Sequence, residues 1–527
     1  MMSGSIPYYW QSVDWNAFMA DYPPPPHYGA SHGILSSDAL RALQERRFLE
    51  RVKDAWAIPF YRKHWTASGL EPGDVTSLDH IERIPTFNSD DLRTAIAEAP
   101  PFGNHHPFGR ESFGQMPLKL QTSSGTTGLP RTTLFDPIAW EVQAVQMARA
   151  FYQQGARPGD IVQITYTNSL ANAAWNASTA LHHWLGCVPV TCGSGVVTST
   201  ERQLEYAKAW GVNGWFTRGE YLGRIAEVAA ATNFDLHSLK TKYLHSYLGP
   251  DIDGHLRKAL QEAWGAPVYD NYGTHEIGLI AFECQAQDGK HISEDTIFVE
   301  TVDVDSGASL PLGSRGSFVA TSLHRSVPPF IRYDLRDVLV ISERSECRCG
   351  LCTRKMSTFL GRADEMVKLR GTNVFPLACQ NAITKDPRTT GDFLCVAYYE
   401  GEGLGRHEEM IVRVERRSPD VDVGGLACRD RGERRAGGTH ADGTGGQGAP
   451  PSRSAPKRHE TRHPSALAIT ARPGFHGGFR VTSRDWITTS GLALLPSLLS
   501  CSAPTRAGFL TSQAGPGKMR IVSDALK

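Results

Sequence analysis

From about residue 119 the chain alternates short apolar runs with longer amphipathic ones. The strand-like run 161–167 is followed by a helical pattern over 170–185, and the run 186–191 by a helix from about Ser199. Parallel strands need a crossover between them, usually a helix, so this rhythm predicts an α/β fold of mainly parallel sheets covered by helices. In such sheets ligands bind in the loops beyond the carboxyl ends of the strands. Asn168, the run Gly193-Ser194-Gly195 and the run Asn271-Tyr272-Gly273 fall at those points. Upstream, Leu43, Phe48, Val52 and Trp56 recur at helical spacing among charges, which predicts a surface helix from residue 40 that ends before an aromatic turn at 59–65. Residues 1–40, punctuated by Tyr8, Tyr9, Trp10 and the prolines at 23–26, are expected to wrap a surface.

A length of 527 residues allows two to four domains, and a 40% hydrophobic composition is that of a globular chain with a sizeable core. The 55 basic and 55 acidic side chains cancel, leaving no global footprint for nucleic acid or an anionic membrane. Partners therefore have to be argued from sites. The opening residues lack a basic region followed by an apolar run, so no secretory signal is expected. The apolar stretch 491–499 is short and broken by Pro496, too little for a membrane span. Ten cysteines in so long a chain point to metal ligands or packing in a reducing cytoplasm, not to a disulfide scaffold.

Four stretches carry chemistry. Thr122, Ser123, Ser124, Gly125, Thr126, Thr127 and Gly128, followed by Leu-Pro-Arg131, form a run of hydroxyls and glycines. Such a run cannot pack a core, but it can bring backbone amides and hydroxyls up to phosphate oxygens, with Arg131 adding charge. It lacks the Gly-Lys-Ser/Thr ending of a Walker loop, and its composition also suits a polar hairpin turn. The second stretch, 268–278, feeds a strand into Tyr272, Gly273, Thr274, His275 and Glu276. Here Tyr272 is suited to stack on a purine and Glu276 to hold a magnesium ion. The third, 329–337, holds Asp334 and Asp337, and a carboxylate following a strand is suited to gripping ribose hydroxyls or to closing an edge-strand ion pair. The fourth runs from Gly361-Arg362-Ala-Asp364 through Lys368 to Asn373-Val-Phe-Pro376, which as bare composition is a solvated hairpin.

In this order and at these separations, the four stretches resemble the adenylate-forming superfamily, and most closely its phenylacetate-coenzyme A ligase family, over residues 40–425. The resemblance implies a large adenylate-forming domain over 1–360, then over 361–427 a hinge and the start of a small α+β domain. It implies a phosphate loop at 122–131, nucleoside contacts from Tyr272 to Thr274 and from Asp337, and a hinge at Gly361 to Asp364 with Arg362 and Lys368 beside it. Two positions depart from the family pattern: Arg131 stands where Lys is usual, and His275 where a Ser or Thr normally contacts phosphate. The reaction implied is attack of a carboxylate on the α-phosphorus of ATP, expelling pyrophosphate, then displacement of AMP by the coenzyme A thiol. Magnesium at Glu276 and the hydroxyl loop meet the need of phosphoryl transfer for positioning and charge neutralisation. Asp364 is the implied pivot for rotation of the small domain between the two steps.

The acid pocket is expected under 168–175 and 193–197, with Trp175, Trp184, Trp215 and Phe216 as possible walls or as ordinary core. No charged residue lies between Gln163 and Ser199, which favours an aryl or arylacetic acid over an amino acid. Cys284, His291, Cys347 and Cys349 form a candidate structural zinc site, with Cys352 the substitute, at points where the family pattern also places a Cys, a His and a Cys-x-Cys. Beyond residue 424 the text changes: 428–474 hold no Phe, Trp or Tyr, so 428–514 are expected to be disordered or frame-shifted and the small domain truncated or scrambled. In the closing element, 515–527, Lys518 resembles the family's terminal catalytic lysine. Alternatives remain open at this point: transfer to a carrier-protein phosphopantetheine or an amine in place of coenzyme A, or a catalytically impaired nucleotide-binding homologue. A cytoplasmic enzyme with no nucleic-acid or membrane partner is the expectation, with a homodimer left open.

Overall fold

The computed structural model describes residues 9–107, 113–122, 131–249, 251–252, 254–363, 367–369, 372–374, 376–400, 407–418 and 467–471. Within these, residues 9–363 form one compact unit, and the described residues from 367 onward form a second.

The first unit opens with four helices, α1 (Trp15–Asp21), α2 (Ser37–Trp56), α3 (Pro59–Ala67) and α4 (Ser89–Glu98). The aromatic turn expected at 59–65 is instead helix α3. Proline at the first helical position sacrifices no hydrogen bond, and Phe60, Tyr61 and Trp65 are the buried face of that helix. Aromatic residues read as punctuation in sequence are here the apolar stripe. Two short strands, β1 (Lys119–Thr122) and β2 (Thr132–Phe135), pair antiparallel around the hydroxyl-rich run. Helix α5 (Pro137–Gln153) follows, capped by the Asp136 carboxylate, which accepts from the Ala139 amide, and buried on nearly every side.

The central sheet begins with β3 (Ile161–Ile164), β4 (Val188–Thr191), β5 (Gly214–Arg218), β6 (Tyr243–Tyr247) and β7 (Val268–Thr274), all joined in parallel. Its crossovers are α6 (Ala173–Thr179), α7 (Thr200–Trp210), α8 (Gly219–Ala231) and α9 (His255–Trp264). This is the strand-and-helix alternation that the sequence announces. Beyond β7 the sheet continues antiparallel through β8 (Gly278–Glu283), β9 (Lys290–Ile292) and a short edge strand, Lys355–Met356. A four-stranded antiparallel sheet packs beside it: β10 (Ile297–Val302), β11 (Arg315–Ser322), β12 (Tyr333–Val340) and the strand Gly361–Arg362. Its inward residues, among them Phe318, Leu339 and Ile341, share a core with Trp65, Phe87 and Ile280. Among the described residues no helix is long and apolar enough to cross a membrane.

The second unit holds a hairpin of Val367–Leu369 with Thr372–Val374, helix α10 (Gln380–Thr384) and a three-stranded sheet. In that sheet Thr389–Glu400 is flanked by His407–Arg416 and by Leu467–Ala471. Phe393, Cys395, Met410, Val412 and Ile383 make its core. The edge strand Leu467–Ala471 lies within 428–514, the stretch expected to be disordered or frame-shifted.

Candidate functional site

The β1–β2 hairpin positions the first motif. The Thr122 amide donates to the Leu170 carbonyl at 2.8 Å, fixing the hairpin against the 168–175 segment, and Thr122 itself is buried. Ser123, Ser124, Gly125, Thr126, Thr127 and Gly128 lie outside the described residues. At the far end of the loop, Arg131 Nη2 is 3.0 Å from Glu276 Oε1, so the first and second motifs meet through an ion pair. Burial alone pushes the Glu276 carboxyl up. The Arg131 guanidinium opposes it, with Arg325 behind, and the carboxyl is held below the ordinary carboxylate value.

The second motif occupies the β7–β8 turn. Gly273 is required by close approach: a Cβ there would lie 2.5 Å from the Gly278 carbonyl oxygen. Gly278 sits at φ +92°, and a Cβ would fall 2.7 Å from Gln143 Cγ. The Thr274 hydroxyl accepts from the Ile277 amide at 3.2 Å, closing the turn that presents His275 and Glu276. Burial pushes His275 down to about 4, so its ring is neutral at physiological pH. The Gln121 backbone approaches that ring without forming a well-aligned hydrogen bond.

Tyr272, Asp337 and Arg362 form one network. The Tyr272 hydroxyl donates to Asp337 Oδ2 at 2.5 Å, and Arg362 Nη1 lies 3.0 Å from Oδ1. Burial, then Asp337, pushes the Tyr272 hydroxyl well above the ordinary phenol value and keeps it a donor. Its ring packs edge-on against Phe318, with centroids 5.6 Å apart. Arg362 reaches Asp337 because the two residues are direct partners across neighbouring strands. An irregularity in the β11–β12 register, with Arg336 at φ +61° immediately before Asp337, sets the direction of that carboxylate.

Arg325 escaped the sequence reading, since nothing marks it in its His-Arg-Ser context. It is fully buried between the faces of Phe135, at 4.2 Å, and Phe330, at 5.1 Å. It donates to the carbonyls of Leu134 at 2.9 Å, Val327 at 3.1 Å and Glu276. Burial pushes it down to about 10, which leaves it cationic at neutral pH. Strand β2, the Glu276 turn and the 325–328 loop are thereby pinned to one side chain.

The thiol cluster assembles at the end of β8, on β9 and in the 347–349 turn. The donor atoms of Cys284, His291, Cys347 and Cys349 lie within 4.8 Å of one another. Cys284 Sγ is 3.7 Å from Cys347 Sγ, and Cys349 Sγ is 3.4 Å from His291 Nε2. His291 Nδ1 is held by Thr353 Oγ1 at 2.8 Å, which leaves Nε2 turned to the sulfurs. Cys352 is not part of this group. The neighbouring Cys349 thiol, with His291, holds the Cys284 thiol below the ordinary thiol value.

Of the proposed aromatic walls, Trp215 is core, packed against Trp264 at 5.0 Å, and Phe216 is fully buried. The Trp184 indole donates to Glu141 at 2.8 Å and stacks on Phe18. Trp175 donates to the Ser169 carbonyl at 2.8 Å and covers Lys119, whose Nζ lies 4.0 Å from its ring and 3.8 Å from that of Trp140. Burial pushes Lys119 down to about 8. Lys368 lies on the Val367–Leu369 strand of the second unit, and Asp364 and Lys518 lie outside the described residues.

No protein-family model matches the chain. It is 30% identical over 397 residues to a phenylacetate-coenzyme A ligase of Aromatoleum evansii, covering 74% of this chain and 84% of that protein. To the enzyme of the same name from Pseudomonas putida it is 29% identical over 355 residues, 66% and 76% of the two chains. Among solved structures, a 2-hydroxyisobutyryl-CoA ligase in its postadenylation state superposes with a TM-score of 0.62 at 25% identity. That match covers 72% of this chain and 79% of that one.

Proposed function

Because the chain belongs to the phenylacetate-coenzyme A ligase family of adenylate-forming enzymes, and is thus an AMP-forming acid–thiol ligase, we propose that its acid substrate is aryl or arylacetic. The enzyme converts a carboxylic acid and ATP to an acyl adenylate and pyrophosphate, then transfers the acyl group to coenzyme A with release of AMP. The observation that carries the site assignment is the meeting of separated motifs: Arg131 with Glu276, and Tyr272 and Arg362 with Asp337.

Asp337 binds the ribose hydroxyls. The Tyr272 hydroxyl on Oδ2 and the Arg362 guanidinium on Oδ1 fix the orientation of its carboxylate before the nucleotide arrives. Arg131 and the hydroxyl loop at 122–128 bind the phosphates, with Lys518 as the candidate cation for the adenylation step. Glu276 is a buried carboxylate kept ionised by its neighbours, which fits it to hold magnesium. A magnesium ion there supplies charge neutralisation at the phosphates. Arg325 holds the Glu276 carbonyl and so keeps that carboxylate in place. Neutral His275 offers a hydrogen bond without adding charge.

Cys284, His291, Cys347 and Cys349 fit a structural zinc. Zinc–sulfur bonds of about 2.3 Å in a tetrahedron put ligand sulfurs about 3.8 Å apart, against 3.7 Å between Cys284 and Cys347. Acid-dependent exchange of pyrophosphate into ATP across a panel of aryl acids, followed by thioester formation with coenzyme A, tests the function. Exchange confined to aliphatic acids would remove the aryl assignment, and exchange without thioester would move the acceptor to a carrier protein or an amine.

A further inference from the structure

Behind the His275–Glu276 turn lies a group of buried amides that the reaction as described does not use. Gln143 on α5 is fully buried, and Asn172 and Asn176, at the start and within α6, are 6% and 3% exposed. Gln143 Oε1 accepts from Asn176 Nδ2 at 2.6 Å and from Asn172 Nδ2 at 3.3 Å, and Asn172 also donates to the His275 carbonyl at 3.1 Å. These bonds join the cluster to the turn that carries Glu276 and to the segment expected to bind the acid.

The cluster is not self-sufficient. Gln143 Nε2 and Asn176 Oδ1 are buried without a hydrogen-bond partner, and both ring nitrogens of His275 are in the same condition. Turning over one amide alone sets like atom against like at 2.6 Å, and turning over both still leaves a donor and an acceptor unmet. A buried donor or acceptor left unpaired costs stability, and buried polar groups in folded proteins are otherwise nearly always paired. The deficit comprises a donor group, the Gln143 amide NH2, and an acceptor, the Asn176 carbonyl oxygen, on two side chains that hydrogen-bond each other. A hydroxyl meets both at once, accepting from Gln143 and donating to Asn176. An ammonium would leave the Gln143 donor unmet, and an ether, a halogen or a ketone would leave the Asn176 acceptor unmet.

We propose that Gln143 and Asn176 form a specificity subsite for a hydroxyl group on the substrate, so that the acid adenylated by this enzyme is a hydroxy-substituted carboxylic acid. The inference rests on the ligase reading above and adds the substituent. A site built to pair a substrate hydroxyl discriminates strongly against the analogue that lacks it, because its own polar groups are then stranded.

The test is acid-dependent pyrophosphate exchange with matched pairs of acids that differ only by one hydroxyl, placed on the ring or beside the carboxylate. The expected result is a kcat/KM ratio above about tenfold for at least one hydroxy acid over its parent. Asn176→Leu, and separately Gln143→Met, should bring that ratio below about threefold, with the thermal unfolding midpoint as the control for folding. Ratios below tenfold for every pair, or a ratio that both substitutions leave intact, would overturn the subsite and assign the orphaned atoms to buried water. Absence of exchange with every acid would remove the ligase reading, and the subsite with it.

Discussion

Tyr272 and Asp337, 65 residues apart in the chain, are joined by a hydrogen bond of 2.5 Å, so the two expected nucleoside ligands act as one unit. Asp337→Ala is expected to raise KM for ATP at least about tenfold, or about 1.4 kcal/mol, while KM for the acid changes less than about twofold. Tyr272→Phe should give a smaller rise of about threefold, because Arg362 still holds Oδ1. Steady-state kinetics with each substrate varied in turn provide the check, and equal changes in both KM values would contradict the ribose role.

Arg131 is the cation that keeps Glu276 ionised inside the protein. Removing it strands a buried carboxylate and takes a positive charge from the phosphate site. Arg131→Ala should lower kcat/KM for ATP by about tenfold to a hundredfold and raise the magnesium concentration needed for half-maximal rate. Arg131→Lys, which keeps the charge but loses the planar fork, should fall between the wild type and Arg131→Ala. Magnesium titrations of the three proteins test the order.

Metal analysis of freshly prepared, reduced protein should find about one zinc per chain, since thiolate and imidazole donors favour that ion. Cys347→Ser should lose the metal and lower the unfolding midpoint, whereas Cys352→Ser should retain both, because Cys352 stands outside the cluster. Loss of zinc in Cys352→Ser with retention in Cys347→Ser would exchange the two roles.

Burial pushes His105 and His275 down to about 4 and His245 and His324 down to about 3. Their folded values lie below the ordinary value near 6.5, so as pH falls through the interval between, the unfolded chain takes up protons that the fold refuses. The stability is complete about one unit above pH 6.5 and declines as pH falls through that value, approaching about 1.4 kcal/mol per pH unit for each histidine. Urea unfolding at pH 7.5, 6.5 and 5.5 should show a loss in both intervals, clearly larger between the last two. Equal stability at 7.5 and 5.5 would mean these rings are not held neutral in the fold.

Sequence alone determined the features that depend on neighbours a few residues away. The strand-and-helix rhythm from 161 to 210 is encoded in the periodicity of the apolar residues, and it returned as β3, α6, β4 and α7. The same locality made 59–65 misleading, since an aromatic run following a proline has no decisive pattern until the core it faces is known. Motif composition together with the family resemblance named Tyr272, Glu276, Asp337 and the four thiol-cluster ligands, because side-chain chemistry is visible in a sequence. Tertiary structure decided which of them touch. Sheet register and the irregularity before Asp337 place its carboxylate under the Tyr272 hydroxyl, and no short-range pattern encodes either. The absence of charge between Gln163 and Ser199 held along the chain, but in space β1 delivers Lys119 to the Trp175 ring. Arg325, Gln143 and Asn176 were silent in sequence because an arginine or an amide acquires a role only when burial removes water and leaves its hydrogen bonds to the residues around it.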